Sequence, residues 1–278
     1  MSDERDYVLG THGEEIERLG LQHRVWRPRV LDAWLHAGFT TGQTIVDAGC
    51  GPGYATVDLA EIVGANGRVV SVDRSRRFLD ALEASAAQRN LNNIDVHEAD
   101  LDQDELPDVA ADGAWIRWVL AFVKRPQDVL RKVVRRLKPG GTIVIHEYVD
   151  YSTWRFAPRS EVFENFVTIV METWRADGGE PDIALDLPGW LAAEGLQIRR
   201  LKPIVDAISP ASFIWQWPRR FVSVGLARLV ELGRINADEA RRIADDFAQR
   251  ESSPQALMIT PAVLEIIAVT PCATHPVV

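Results

Sequence analysis

Short apolar runs and helical periodicities alternate through the first half of the chain. Residues 45–48, Ile-Val-Asp-Ala, precede three alternate glycines, Gly49, Gly51 and Gly53, and residues 54–63 follow with apolar positions at helical spacing. The pattern predicts a buried strand, a tight glycine turn and a helix start, an arrangement that lets a nucleotide-like ligand touch bare backbone. Residues 68–72 form a second apolar run closing on Asp73, about 20 residues past the glycines, where an acid can accept both hydroxyls of a ribose. A third run at 94–97 leads to Asp100 and Leu101, and a fourth at 113–117 runs into Trp118. Residues 126–137 read as a helix with Pro early in its first turn, and Arg135, Arg136 and Lys138 near its end. A fifth strand at 142–145 then enters His146, Glu147 and Tyr148.

The flanks carry different patterns. Ile16, Leu19, Val25 and Trp26 are spaced as on a helix, Pro28 is expected to open a second helix reaching Ala37, and Gly38 ends it. Beyond Val149 the aromatic content rises: Phe163, Phe166, Val167, Val170, Met171 and Trp174 mark an amphipathic helix over 158–174. A short helix at 187–195 and a strand at 196–207 follow, then helices at 210–232 and 237–251, and a last strand at 262–269. We expect one domain: a leader at 1–39, a ligand-binding core at 40–150, substrate-side elements at 151–209, a helical insertion at 210–253 and a final strand with its tail at 254–278.

Gly-x-Gly-x-Gly with Asp47 two residues upstream resembles motif I of the class I S-adenosylmethionine (SAM) methyltransferases. Nicotinamide and flavin enzymes use G-x-G-x-x-G, and Tyr54 stands where their third glycine would be. Leu-Lys-Pro-Gly-Gly before the fifth strand is another hallmark of the methyltransferases, and the resemblance covers residues 40–150. It implies an α/β fold: a Rossmann-like, seven-stranded, mostly parallel sheet with helices on both faces and an antiparallel last strand. It also implies SAM as cofactor, with S-adenosylhomocysteine as product. Gly49, Gly51 and Gly53 would contact it with Asp47, Arg74 and Arg117 nearby, Asp100 would accept from the adenine amine, and Leu101 would pack on the ring. The leader resembles that of UbiE-like small-molecule methyltransferases. By that resemblance Tyr7 and Gln22 help bury the methionine end, and the Tyr7 ring can attract the sulfonium.

Composition narrows the partners. A net charge of −9 and a pI near 5.2 argue against tracking a phosphate backbone, so no nucleic-acid partner is expected. Only Cys50 and Cys272 are present, which implies no zinc or disulfide framework and disfavours an arsenite methyltransferase. The polar, acidic beginning and the absence of an 18-residue apolar run predict no membrane span and a cytoplasmic protein, either monomer or homodimer.

Methyl transfer needs an acceptor held in line with the activated methyl, and a base where the acceptor must lose a proton. His146 and Glu147 are the expected base candidates, at the carboxyl end of the fifth strand; His12, His23 and His36 are weaker, and no metal cluster is visible. Trp118, Tyr148, Trp154, Phe213 and Trp217 are expected to line an apolar substrate pocket for a small acceptor. Helices over 210–251, with the leader at 7–26, are expected to close on it as a lid. Arg117-Trp118-Val119-Leu120 replaces the Asn/Asp-Pro-Pro-aromatic motif of nucleic-acid and glutamine N-methyltransferases. O-, C- and N-methylation of a small molecule remain open, with a non-catalytic SAM-binding regulatory or partner protein as the alternative.

Overall fold

Apolar strands buried on both faces need cover on both sides, and the order of elements supplies it. In the computed structural model, which describes residues 13–272, helix α1 (Gly13–Ala37) precedes β1 (Thr44–Ala48), α2 (Tyr54–Val63), β2 (Arg68–Asp73), α3 (Arg76–Gln88) and β3 (Ile94–Glu98). The chain continues through β4 (Ala111–Arg117), α4 (Pro126–Val134), β5 (Leu137–Asp150), β6 (Arg155–Ala157), α5 (Glu161–Ala176) and α6 (Leu187–Ala193). It ends with β7 (Gln197–Ile204), β8 (Ala207–Ile208), α7 (Gln216–Glu231), α8 (Ala237–Glu251), β9 (Leu257–Ile259) and β10 (Ala262–Val269).

Seven strands form one sheet in the order β3-β2-β1-β4-β5-β10-β7, parallel except for β10, which runs antiparallel between β5 and β7. The expected Rossmann-like α/β sheet is therefore present. Strand order reverses between β1 and β4, and that reversal opens a crevice beyond their carboxyl ends. One apolar layer joins α1, α2 and the aromatic residues of the second half; the other lies under α4 and α6. Among the described residues no helix is long and apolar enough to cross a membrane.

Several elements depart from the expectation: the fifth strand spans Leu137–Asp150 rather than 142–145, the strand expected at 196–207 splits into β7 and β8, and the helix expected at 210–232 begins at Gln216. Pro28 does not open a second helix but sits inside the continuous α1. An internal proline costs about 3 kcal/mol, yet α1 buries Val25, Trp26, Val30, Ala33 and Trp34 across it, and that burial outweighs the lost hydrogen bond. Helix α4 stops at Val134, because Leu137 already pairs with Ala111 in the sheet. A second, three-stranded sheet in the order β6-β9-β8, unforeseen in the sequence, ties the segment after β5 and the chain after β7 to the chain beyond α8.

The insertion between β7 and β10 docks on α1. Trp217 of α7 meets Trp26 edge-on at 5.2 Å between ring centres, and the Arg18 guanidinium lies over the Phe221 ring. Behind this seam Trp154, Phe156, Phe163, Phe166, Trp215 and Phe247 form a continuous aromatic core.

Glu147 of β5 shapes the loop that follows β4. Its Oε1 accepts from the backbone N–H groups of Val119 and Leu120, both at 2.7 Å, next to Trp118, whose φ is +51°. Complete burial pushes its carboxyl from the ordinary 4.5 up to about 8, against the pull of those N–H groups. Because the folded-state value is the higher one, the stability tied to protonated Glu147 is full below about pH 4.5 and is lost as pH rises through about 8. In thermal melts from pH 5 to 9, Glu147→Gln should lose less stability with rising pH than the wild type, since its amide oxygen keeps both acceptor bonds. Glu147→Ala should lose about 1–3 kcal/mol for each orphaned N–H at every pH. Parallel wild-type and Gln curves would refute the protonation state.

Candidate functional site

The crevice at the strand reversal is a cleft of about 900 Å³ running along the ends of β3, β2, β1 and β4, with α1 closing one side through Leu19 and Gln22. Its floor is the turn between β1 and α2. Gly49, Gly51 and Gly53 have φ of +75°, +54° and +80°, a left-handed region open to glycine. They serve different ends. A Cβ on Gly49 would overlap Val119 and one on Gly53 would overlap Leu82, whereas one on Gly51 would meet nothing within 4 Å. Gly51 therefore leaves bare backbone facing open cleft, and Gly53 serves helix packing instead, as the left-handed residue before α2. It is absent from the cleft wall, contrary to expectation.

Asp73 closes the turn. Its Oδ2 accepts from Gly51 N at 2.8 Å and its Oδ1 from Ser75 N at 2.9 Å. Burial raises its carboxyl above the ordinary range, against those two N–H groups. A carboxylate offers about four lone-pair sites, so roughly two remain for a ligand with adjacent hydroxyls. Further along, Asp100 faces the cleft while accepting from Asp102 N and Gln103 Nε2, and Leu101 lies beside it. Arg74 also lines this end.

At the opposite end, Arg117 and Trp118 leave β4. The Arg117 guanidinium lies 5.7 Å from the Trp115 ring centre and 5.2 Å from that of Trp118, and burial lowers its pKa to about 10. It stays charged at neutral pH, yet among the described residues no carboxylate is within ion-pair distance of it. Its Nη1 has no hydrogen-bond partner, and its Nη2 lies 3.2 Å from His23 Nδ1. A desolvated cation whose nearest acids, Asp47 and Asp58, lie beyond ion-pair distance is incompletely compensated, and this one borders a cleft of ligand size, so the donor set suits an anionic group. Gln22 faces the same end with its Oε1 occupied by Arg18.

Several expected site residues lie elsewhere. Asp47 is buried under the turn, accepting from Thr56 Oγ1 at 2.6 Å, and desolvation lifts its carboxyl to about 6; it does not reach the cleft. His146 and Glu147 are fully buried, and neither lines the cleft. Successive strand residues point to opposite faces: the His146 ring packs against Trp26 and Trp115 with Nε2 3.2 Å from Glu265, while Glu147 turns to the loop after β4. Of the expected pocket aromatics only Trp118 lines the cleft. Tyr148 and Trp217 stack against Trp118 at 5.5 and 5.9 Å; Trp154 lies in the aromatic core with its Nε1 donating to Met258 Sδ; Phe213 is 53% exposed on the outside of the insertion. Tyr7 lies outside the described residues. Asp58 and Phe122 carry no motif signal, Tyr54 enters the sequence reading only as the residue in place of a third glycine, and His23 only as a weaker base candidate. The four-residue spacing of His23 and Arg27 on one helix face is the only hint that they share an acid, Asp58.

Comparison with known proteins agrees with this geometry. Residues 39–177, half of the chain, match the family described as a methyltransferase domain. A demethylmenaquinone methyltransferase of Lactococcus lactis is 31% identical over 126 residues, covering 45% of this chain and 49% of that protein. The ubiquinone/menaquinone biosynthesis C-methyltransferase UbiE of Vibrio vulnificus is 29% identical over 148 residues, covering 52% and 54%. The chain thus spans about half the length of the curated relatives it matches. Coclaurine N-methyltransferase, solved with N-methylheliamine and S-adenosylhomocysteine, shares the fold with a TM-score of 0.55 at 16% identity, over 87% of this chain and 72% of that one. The chain belongs to the class I, S-adenosylmethionine-dependent methyltransferases, and the relatives it resembles over about half their length include UbiE.

Proposed function

We propose that this methyltransferase acts on a small, largely apolar or aromatic acceptor, with SAM lying along the cleft from Asp100 to Arg117. The observation that carries the assignment is the order of donors and acceptors along the sheet edge. Asp100 follows β3, Asp73 ends β2, the glycine turn follows β1 and Arg117 ends β4. Adenine at Asp100 and Leu101, with ribose on Asp73, leaves the methionine portion to cross Gly51 towards β4. There the Arg117 guanidinium supplies the counter-charge for its carboxylate, and Gln22 closes over it from α1. When bound, SAM supplies an electrophilic methyl group on a sulfonium.

The chain's own contribution is placement and exclusion of water. Trp118, Val119, Phe122 and Val123 make the wall beyond Arg117 apolar, and Tyr148 and Trp217 stiffen Trp118 from behind. Such a wall suits a ring or an aliphatic acceptor. The quinone C-methyltransferases among the relatives favour the same class. In this reading His146 and Glu147 have structural roles, since their polar atoms face Glu265 and the loop after β4 rather than the cleft. Helices α7 and α8 act on the cleft through Trp217 and α1, because among the described residues none beyond Val123 lines it.

Three outcomes are expected. With SAM and a panel of phenolic, quinol, aliphatic amine and sugar acceptors, S-adenosylhomocysteine should form fastest with an apolar ring acceptor; turnover confined to the sugars would overturn the acceptor class. Asp73→Asn should weaken SAM binding at least tenfold by calorimetry, since a hydrogen bond to a charged group contributes about 1.5–3 kcal/mol, and an unchanged affinity would remove Asp73 from the ribose. Gly51→Ala should stay folded while losing SAM affinity, its methyl group projecting into the cleft at a backbone cost of about 1–2 kcal/mol. Gly53→Ala should instead lower the melting temperature through Leu82, and equal behaviour of the two variants would contradict the division of labour between them.

A further inference from the structure

Behind Arg117 lies a chain of side chains that the reading above does not use. His23 of α1 is buried, with Nε2 3.0 Å from Asp58 Oδ2 and Nδ1 3.2 Å from Arg117 Nη2. Asp58 of α2 also accepts from Arg27 Nε at 2.7 Å and Nη2 at 3.2 Å. Burial alone would push the Asp58 carboxyl up, but the bonds from His23 and Arg27 outweigh it and hold it below the ordinary range. Asp58 is therefore ionised and only accepts.

The two neighbours determine the imidazole's form. A guanidinium only donates and a carboxylate only accepts. Neutral His23 with its proton on Nε2 satisfies both: Nε2–H donates to Asp58, and Nδ1 accepts from Arg117. The other neutral tautomer would set lone pair against lone pair at Asp58 and N–H against N–H at Arg117. The doubly protonated ring would set N–H against N–H at Arg117 and add a second cation beside it.

We propose that the Asp58–His23 pair is a positioning device for Arg117, orienting its guanidinium at the β4 end of the cleft for the carboxylate of the cofactor's amino-acid portion. The inference rests on the assignment of that carboxylate to Arg117. It makes His23 a positioning residue, joined to the ligand only through Arg117, and makes α1 part of the binding apparatus rather than only its cover. Three elements contribute: α2 supplies the acid, α1 the imidazole, and β4 the cation.

The device has a pH signature. The charged groups facing His23 are Asp58 from α2, Arg117 from β4 and Arg27 from its own helix, and Tyr54 of α2 stacks on the ring at 6.2 Å. Burial, together with Arg117 and Arg27, lowers the His23 pKa below 6.5 despite Asp58, so the ring is neutral at pH 7. Acidification through the lowered His23 pKa protonates Nδ1 and removes the acceptor that holds Arg117.

The test compares two probes by calorimetry: S-adenosylhomocysteine, which carries the amino-acid carboxylate, and 5′-methylthioadenosine, which lacks it. Arg117→Met should weaken the first at least tenfold and leave the second within twofold. His23→Leu should weaken S-adenosylhomocysteine several-fold, spare methylthioadenosine, and add nothing in the Arg117→Met background. His23→Asn, whose side-chain oxygen can replace Nδ1 as acceptor, should restore most of the affinity and abolish its loss on acidification. It also keeps the test open if the Leu variant does not fold. Normal S-adenosylhomocysteine binding by Arg117→Met would overturn the carboxylate assignment itself. If that variant behaves as expected, the positioning role alone falls if His23 substitutions weaken both probes equally, leave both unchanged, or act undiminished without Arg117.

Discussion

The bond from Gly51 N to the Asp73 carboxylate is the constraint on which the site depends. The chain must leave β1, turn sharply and start α2 in five residues, with positive φ at Gly49, Gly51 and Gly53. Left-handed backbone offers no intrinsic reason to stay in one arrangement, and Asp73 supplies one by fastening the middle of the turn to the end of β2. The same carboxylate caps the next turn through Ser75, whose hydroxyl in turn accepts from Phe78 N at the start of α3. One side chain thus sets both the floor of the cleft and the entry of the helix beside it. The same residue lines the cleft.

A second constraint links the remote half of the chain to this floor. Trp26 meets both Trp118 and Trp217 edge-on, at 5.0 and 5.2 Å, while Trp118 and Trp217 lie nearly parallel at 5.9 Å. Offset and edge-to-face pairs of this kind add about 0.5–1.5 kcal/mol each beyond the area they bury. The three indoles belong to α1, to the loop after β4 and to α7, so they join leader, sheet and insertion in one contact. Substitutions in α7 can therefore alter the cleft through the position of Trp118 without contributing a lining residue.

What the sequence made legible, and what it hid, follows from how side chains leave their elements. Gly51, Asp73, Asp100 and Arg117 stand at or just past strand ends, where backbone direction carries them into the crevice, and their spacing marks those ends. His146 and Glu147 also stand near a strand end, but they belong to a strand that continues to Asp150, so their side chains leave perpendicular to it and are buried. Asp47 fails for the same reason, one residue inside β1. The aromatic residues were legible as a group and illegible singly: Trp154 and Phe213 both stand in aromatic-rich stretches, yet one fills a core and the other faces outward. Helix α8 and strand β10 have the bounds that the sequence predicts, Ala237–Glu251 and Ala262–Val269, because the Asn236 capping box and a nearly continuous apolar run are local signals. His23 was legible only as a weaker base candidate, and its pairing was hidden because its partners lie 35 and 94 residues away, where only the folded chain brings them together.

The assigned contacts also bear on what accelerates the reaction. Adenine, ribose and carboxylate are common to SAM and to S-adenosylhomocysteine. Under the proposed assignment, Asp100, Asp73 and Arg117 therefore hold cofactor and product with similar strength. Interactions equal in both states set affinity and leave the chemical barrier where it was. The barrier must fall elsewhere, and the cleft offers the apolar wall of Trp118, Val119, Phe122 and Val123, against which, under the same proposal, an acceptor is held and dried. Holding two reactants in line contributes up to about 7–11 kcal/mol in favourable cases, more than any single polar contact in this cleft. The loop that carries this wall is kept in shape by Glu147 from below and by the three-indole contact from the side. Rate should therefore respond to the packing behind Trp118, and affinity to the polar groups along the strand ends.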